Sequence, residues 1–154
     1  MKLTYRHPTD ADKREICAWR YEGEYAMYDL PPYEEMREMQ MGFLNPVKEK
    51  NFYAFLDDNG LVGFVNIAEE ETEVFIGIGT APYLCGKGYG HQMLLDAYEL
   101  SQSLYPQKPL YLEVRCWNER AMKCYQKAGF QIDGEAFEQE THIGAGKFYR
   151  MIHK

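Results

Sequence analysis

Hydrophobic and polar residues alternate in several short stretches of the chain, and this period of two predicts β-strands. The predicted strands cover residues 2–6, 51–56, 61–68, 73–79, 110–116, 130–138 and 147–153. Asp57-Asp58-Asn59-Gly60 is a strong turn signal between the second and third of them, so these two should form a hairpin. Gly77 and Gly79 lie within the fourth strand, where glycine indicates a bulge or the close approach of another group.

Apolar residues at helical spacing, together with helix start and stop signals, predict helices over residues 10–19, 33–43, 88–103 and 119–128. Thr9 and Asp12 have the spacing of a capping box at the start of the first helix. Asn118 can cap the last helix, and Gly129 can terminate it. The element order is a mixed α+β one without repeats or long linkers, so we expect a single domain over residues 1–154.

Composition and charge narrow the possible partners of the chain. With 154 residues and 45% hydrophobic composition the chain can bury a core, and its formal net charge of -7 argues against non-specific nucleic-acid binding. No stretch approaches the ~20 apolar residues of a membrane span, and the first residues lack the apolar core of a signal peptide. We therefore expect a cytoplasmic protein with no nucleic-acid or membrane partner.

Cysteine and histidine spacings give no sign of a disulfide framework or a metal site. The four cysteines contain no C-x-x-C pair, so reduced thiols are expected at positions 17, 85, 116 and 124. The four histidines are scattered along the chain without metal-ligand spacing. We expect no metal cofactor.

A glycine-rich segment, residues 85–90, lies between a predicted strand and a predicted helix. Backbone N–H groups at a helix start favour a bound anion, and Gly86, Gly88 and Gly90 allow close approach of a phosphate. A Walker loop would need glycine at Ala81, and a Rossmann fingerprint would need glycine at His91, so both are excluded. A purely structural glycine turn remains the alternative.

The following segment resembles a known family. Leu110-Tyr111-Leu112-Glu113-Val114-Arg115-Cys116-Trp117-Asn118, then Tyr125, then Gly129-Phe130, is similar to a block of the GNAT-type N-acetyltransferases. The glycine-rich segment, preceded by Pro82, is similar to that family's R/Q-x-x-G-x-G/A block. The resemblance covers residues 73–132. It implies a central mixed, mostly antiparallel twisted sheet of about six or seven strands flanked by about four helices, with acetyl-CoA as cosubstrate.

The resemblance also implies positions for the cosubstrate. The backbone of Cys85, Gly86, Lys87, Gly88, Tyr89 and Gly90 would hold the CoA pyrophosphate. The strand around Ile78 and Thr80 would pair with the pantetheine arm, and Asn118 would contact the pantetheine side. Cys85 departs from the family's Arg or Gln and cannot reach a phosphate as Arg would, although Lys87 can compensate electrostatically.

Acetyl transfer to an amine requires a base, because a free primary amine is mostly protonated at pH 7, and a group that protonates the leaving thiolate. By resemblance Tyr125 is the acid; the alternative is a core aromatic residue. The run Leu-Glu-Val-Arg resembles the ribosomal-protein N-terminal acetyltransferase branch and implies Glu113 as base. The alternatives are a Glu113–Arg115 ion pair, a water-mediated base, or Glu73, which we expect to be solvated.

Aromatic residues and carboxylates intermingle near the amino end, where this family binds its acceptor. Aromatic faces and carboxylates suit an ammonium group. The candidate acceptor-binding residues are Trp19, Tyr21, Glu24, Tyr25 and Tyr28; a hydrophobic staple with a solvated acidic edge is the alternative.

We therefore expect an N-acetyltransferase that moves acetyl from acetyl-CoA to a primary amine by direct attack in a ternary complex. The acceptor would be a polyamine, an aminosugar-like molecule, or a peptide or protein N-terminus. The competing hypotheses are a non-catalytic CoA-binding or sensing module and a protein-interaction domain whose glycine-rich segment is only structural. A homodimer is compatible with the fold type, and the sequence leaves this open.

Overall fold

A computed structural model of the chain describes residues 1–154 and contains eight strands, four α-helices and four short 3₁₀ helices. The strands are β1 Thr4–Arg6, β2 Phe52–Asp57, β3 Gly60–Glu69, β4 Val74–Thr80, β5 Leu110–Arg115, β6 Gln131–Ile132, β7 Phe137–Thr141 and β8 Gly144–His153. The α-helices are α1 Asp10–Ala18, α2 Tyr33–Glu38, α3 Tyr89–Leu104 and α4 Glu119–Lys127. The 3₁₀ helices are Gly23–Tyr28, Gly42–Leu44, Glu49–Asn51 and Pro82–Leu84.

The chain divides into two units by its internal contacts. The first comprises Met1–Asn66 and Ile78–Met93, and the second comprises Ile67–Gly77 and Leu94–Lys154. Strands β3 and β4 each contribute residues to both units.

The first unit has the strand order β1-β2-β3-β4, and the first two pairings are antiparallel. The predicted hairpin between β2 and β3 is present and pairs Asp57 with Gly60. An apolar cluster forms where α1 and α2 contribute Ile16, Cys17 and Met36 to a core shared with Phe52. The capping box is also confirmed, because the Thr9 hydroxyl accepts from the Asp12 N–H while the Asp12 carboxylate accepts from the Thr9 N–H.

The second unit is built on β5 and β8. Its strand order is β4-β5-β8-β6, with β7 also paired to β8. The β4–β5 pairing is parallel, and β5, β6 and β7 all run antiparallel to β8. The residues buried in this unit include Val74, Leu110, Leu112, Phe130 and Met151. The expectation of a mixed, mostly antiparallel sheet with flanking helices is thus confirmed.

Two predicted elements differ from the structure. The helix predicted over residues 33–43 stops at Glu38, because Gln40 (φ 50°) and Gly42 (φ 52°) adopt left-handed backbone conformations that a helix does not tolerate. The strand predicted over residues 130–138 is two strands, β6 and β7, separated by a turn in which Gly134 has φ 85°. The β7–β8 hairpin was not predicted as such, and it matters for the site below.

No helix of the structure is long and apolar enough to cross a membrane.

Candidate active site

The glycine-rich loop connects the 3₁₀ turn Pro82–Leu84 to α3 and has a backbone conformation that requires glycine. Gly86 has φ +79° and Gly88 has φ +90°, both in the left-handed region. No atom lies within 4 Å of a side chain added at Gly86, so crowding does not explain this glycine. Left-handed residues before a helix turn successive N–H groups toward one side, which is the geometry of an anion-binding nest.

Two side chains of the loop contact other parts of the protein, so the backbone N–H groups are the main candidates for binding an anion. The Cys85 thiol lies 3.6 Å from the Ala81 carbonyl oxygen, on the strand side of the loop. The Tyr89 hydroxyl donates to Asp57 Oδ2 at 2.8 Å, and this hydrogen bond raises the pKa of Tyr89. Lys87 is exposed and is the loop's cationic side chain. The residues present therefore fit a pyrophosphate held by N–H groups and assisted by one lysine.

At Gly79, one of the two glycines of β4, the group that comes close to the backbone is another side chain of the protein. A side chain at Gly79 would collide with the ring of Phe64. Ile78 and Thr80 flank this glycine and are half-buried. In the second unit, β4 pairs with β5 only through Val74 with Leu110 and Phe75 with Tyr111, so the ladder between these strands is short.

The acceptor segment, which we define as residues 19–28, is attached to the end of β4. The Tyr21 hydroxyl donates to the Thr80 carbonyl oxygen at 2.7 Å. The Tyr21 N–H donates to Asp29 Oδ1 at 2.8 Å, which closes the segment on itself around the 3₁₀ helix Gly23–Tyr28. The first unit therefore brings a candidate acceptor residue against a candidate cosubstrate residue.

The other members of the acceptor segment differ in exposure. Trp19 is 7% exposed and belongs to the apolar cluster, with its ring 6.4 Å from that of Phe64. Tyr25 and Tyr28 are half-buried, and Glu24 is exposed. Trp19 thus packs in the apolar cluster, whereas Glu24 is available to solvent, and the contacts of both with an acceptor stay predictions.

Glu113 in β5 is exposed between the buried Leu112 and Val114, as strand alternation predicts. Gln139 Nε2 on β7 donates to Glu113 Oε1 at 3.0 Å. Arg115 does not pair with Glu113. Its guanidinium instead donates to Thr141 Oγ1 at 3.1 Å and lies 4.7 Å from the centre of the Phe148 ring.

Asn118 and Tyr125 lie at the two ends of α4. Asn118 is buried and caps the helix, with its Oδ1 accepting from the Ala121 N–H at 3.2 Å. Tyr125 is half-buried and makes an edge-to-face contact with Phe130 at 6.5 Å between ring centres. Their contacts with a ligand stay predictions.

Glu73, the rival base, is not a solvated carboxylate. It accepts from both terminal nitrogens of Arg150, one at 3.0 Å, and its side chain is 23% exposed. Arg150 also donates to Asp133 Oδ2 at 2.9 Å. Because a bidentate ion pair holds Glu73, this residue is poorly placed to take up a proton, and Glu113 is the better candidate.

Gln139 is the residue that sequence reasoning missed. It lies on β7, which was not recognised as a separate strand, so its register against β8 could not be derived. The signal that could have found it is the alternation of Phe137, Gln139 and Thr141, which are half-buried, with the exposed Glu138 and Glu140.

Cysteines and metal ligands contribute little to the site. None of the four cysteines forms a disulfide bond, and burial raises the pKa of the Cys124 thiol, so this neighbour of Tyr125 stays protonated near neutral pH. The structure has no group of three or more His, Cys, Asp or Glu side chains placed to hold a metal ion.

Comparison with known proteins extends the resemblance beyond the motifs. The model of the acetyltransferase (GNAT) family matches residues 13–130. A spermidine N(1)-acetyltransferase of Vibrio cholerae serotype O1 is 24% identical over 135 residues, which cover 83% of this chain and 73% of that protein.

Solved structures share the fold over nearly the whole chain. The spermidine N-acetyltransferase from Vibrio cholerae in complex with CoA and spermine aligns with a TM-score of 0.78 at 22% identity, covering 97% of this chain and 94% of that one. A putative phosphinothricin N-acetyltransferase aligns with a TM-score of 0.73 at 18% identity, covering 99% and 98%.

These findings confirm the expected fold, the expected transferase activity and the expected cosubstrate, acetyl-CoA. Since its family model spans most of the chain and both of the blocks identified in the sequence, this protein belongs to the acetyltransferase (GNAT) family of N-acetyltransferases.

Proposed function

We propose that this chain, as a single domain over residues 1–154, acetylates a primary amine of a polyamine with acetyl-CoA, by direct attack in a ternary complex. The observation that carries the proposal is the hydrogen bond from Tyr21 to Thr80. It attaches the aromatic and acidic acceptor segment to the end of the strand that leads into the glycine-rich loop.

The charge of the acceptor segment supports a cationic acceptor. Glu22 and Glu24 are exposed at its start, and the whole chain carries a formal net charge of -7. Negative surface attracts polyamines, which carry several ammonium groups at neutral pH, and tyrosine faces add cation–π attraction. Two relatives named above act on or bind polyamines by their names, spermidine and spermine.

The cosubstrate would be held by the backbone of residues 85–90 and by the end of β4. The left-handed Gly86 and Gly88 would direct N–H groups toward the pyrophosphate, and the exposed Lys87 would add a positive charge. Ile78 and Thr80 would present backbone groups to the pantetheine arm. By the family resemblance, Asn118 would contact the pantetheine side. Acetyl-CoA supplies an acetyl thioester, whose carbonyl carbon accepts the amine nitrogen.

Two side chains of the second unit would transfer protons during the reaction. Glu113 would take a proton from the acceptor amine, and its orientation is set by the hydrogen bond from Gln139. Tyr125 would donate its phenolic proton toward the departing sulfur. Each assignment predicts a loss of turnover in a variant that keeps the shape and removes the proton: Glu113→Gln and Tyr125→Phe.

The test is the release of CoA from acetyl-CoA. It is measured by chromatography and not with a thiol reagent, because such a reagent can also react with thiols of the protein itself. Spermidine and spermine are compared with glucosamine and with a short peptide bearing a free N-terminus. The proposal expects the highest kcat/KM with the polyamines. A preference for the peptide would identify a protein N-terminus, and not a polyamine, as the acceptor. That result would agree with the resemblance of the run around Glu113 to the ribosomal-protein N-terminal acetyltransferase branch.

The same assay tests the site. Tyr125→Phe and Glu113→Gln should each lower kcat by about 10²-fold, the usual contribution of a positioned acid or base, while acetyl-CoA still stabilises the fold. Asn59→Ala, in the exposed β2–β3 turn, is the control that should leave both unchanged. Full activity of Tyr125→Phe would assign this residue to the core.

A further inference from the structure

Three buried side-chain atoms have no hydrogen-bond partner, and one of them is suited to the acceptor. They are Trp19 Nε1, Asn66 Oδ1 and Ser101 Oγ. The indole N–H can only donate, whereas the amide oxygen of Asn66 can only accept. The Ser101 hydroxyl can accept as well, but it belongs to the second unit. An amine offers N–H groups, so the Asn66 oxygen is the complementary atom of the first unit.

Asn66 belongs to the first unit, and it shares a strand face with Phe64, which packs near the acceptor segment. It is two residues from Phe64 in β3, so both side chains project from the same face of the strand. Phe64 is the residue whose ring lies 6.4 Å from that of Trp19. Across the strand pair, Asn66 stands opposite Phe52, whose ring stacks near Phe64 at 6.4 Å.

We propose that the side-chain oxygen of Asn66 accepts a hydrogen bond from an N–H of the amine acceptor, which makes Asn66 a specificity-determining residue; this rests on the proposed function. A buried polar atom without a partner is unfavourable in the free protein. A bound amine removes that penalty, whereas a molecule with oxygen in place of the nitrogen has fewer N–H groups to offer. The residue as a whole is only half-buried, so Asn66 lies near the surface of the first unit.

A structural role for Asn66 predicts different behaviour. If the oxygen bonded a permanent water molecule that holds β3 in place, its removal would lower stability and leave substrate recognition intact. If it recognises the acceptor, its removal leaves the free protein as stable or more stable, because replacing an unpaired polar group with an apolar one of similar size is neutral or favourable.

The experiment compares Asn66→Leu and Asn66→Asp with wild type and with Asn59→Leu, which alters an exposed turn asparagine. The melting temperature is measured with and without spermidine, and KM is measured for spermidine and for acetyl-CoA. We expect Asn66→Leu to raise the KM for spermidine about tenfold, to leave the KM for acetyl-CoA unchanged and to abolish the thermal shift caused by spermidine. Asn66→Asp keeps an oxygen acceptor and should hold the spermidine KM near or below that of wild type.

Each result has a defined meaning. An unchanged spermidine KM in Asn66→Leu, or a parallel rise in both KM values with a lowered melting temperature, overturns the inference. If wild type binds spermidine without acetylating it, the proposed function fails, and the thermal shift alone decides the role of Asn66. If wild type neither binds nor acetylates spermidine, both proposals are wrong.

Discussion

Substitution of Gly86 by valine tests the glycine-rich loop most directly. The backbone at Gly86 has φ +79°, which a β-branched residue does not tolerate, while the space around it is open. A Cβ at this position meets no other group, so the expected effect arises from the backbone conformation. Left-handed conformation costs a non-glycine residue about 1–2 kcal/mol, and the loop of Gly86→Val is expected to relax away from it.

The cost then appears in the binding of acetyl-CoA. Bound cosubstrate needs the N–H groups in their present directions, so binding must restore the unfavourable conformation. A penalty of about 1–2 kcal/mol corresponds to a rise in Kd of about 5- to 30-fold. Isothermal titration with acetyl-CoA measures this rise without any amine present.

Gly134 provides a matched control. It has φ +85° and equally open surroundings, but it lies in the turn between β6 and β7. Gly134→Val therefore imposes the same backbone cost outside the loop, and we expect its Kd for acetyl-CoA to equal that of wild type. If Gly86→Val and Gly134→Val bind acetyl-CoA equally well, the left-handed loop does not form the pyrophosphate site and the reasoning is refuted.

Further predictions concern hydrogen bonds and ion pairs of the two units. Gln139→Ala should lower kcat severalfold in wild type but not in a Glu113→Gln background, whereas equal losses in both backgrounds would assign Gln139 a purely structural role. Tyr21→Phe removes the donor to Thr80 and should raise the KM for the amine about fivefold, which corresponds to about 1 kcal/mol. Tyr5→Phe changes an exposed tyrosine and is the control. Equal KM values in the two variants would show that the hydrogen bond to β4 does not contribute to acceptor binding. Arg150→Met leaves Glu73 without its partner and should lower the free energy of unfolding by about 1–3 kcal/mol, measured by urea titration. Arg14→Met, which removes an exposed helix pair, is the control and should lower the free energy of unfolding much less.

Local signals account for the elements that the sequence predicted well. The capping box of Thr9 and Asp12 involves atoms three residues apart, and the start of α3 follows directly from the glycines before it. The predicted length of α2 was wrong, because the helix is ended by the left-handed conformations of Gln40 and Gly42, which depend on how the following chain packs. The side chain of Met36 lies only 3.2 Å from the position of a Cβ at Gly42, a contact that no local pattern encodes.

The candidate site shows the same division between local and distant contacts. Motif spacing and family resemblance identified Glu113, Asn118 and Tyr125 as candidates. Strand alternation correctly predicted that the Glu113 side chain is exposed. The partner of Glu113 could not be predicted, since Gln139 is 26 residues away and reaches it only through the β7–β8 hairpin. Arg115 helps to fix that hairpin by donating to Thr141 and to the Gly144 carbonyl oxygen, which is why it is unavailable to Glu113.

Cys85 replaces the arginine or glutamine of the family pattern, and the structure explains how the loop accommodates it. An arginine would contribute a charge to the phosphate from its side chain, whereas the Cys85 thiol faces the carbonyls of Thr80 and Ala81. Thr80 is also the residue that accepts the Tyr21 hydroxyl. Under the proposed function, anion binding is left to the N–H groups of the loop and to Lys87, because the thiol faces these carbonyl groups. Affinity for acetyl-CoA should therefore depend more on Gly86 and Gly88 than on any side chain at position 85.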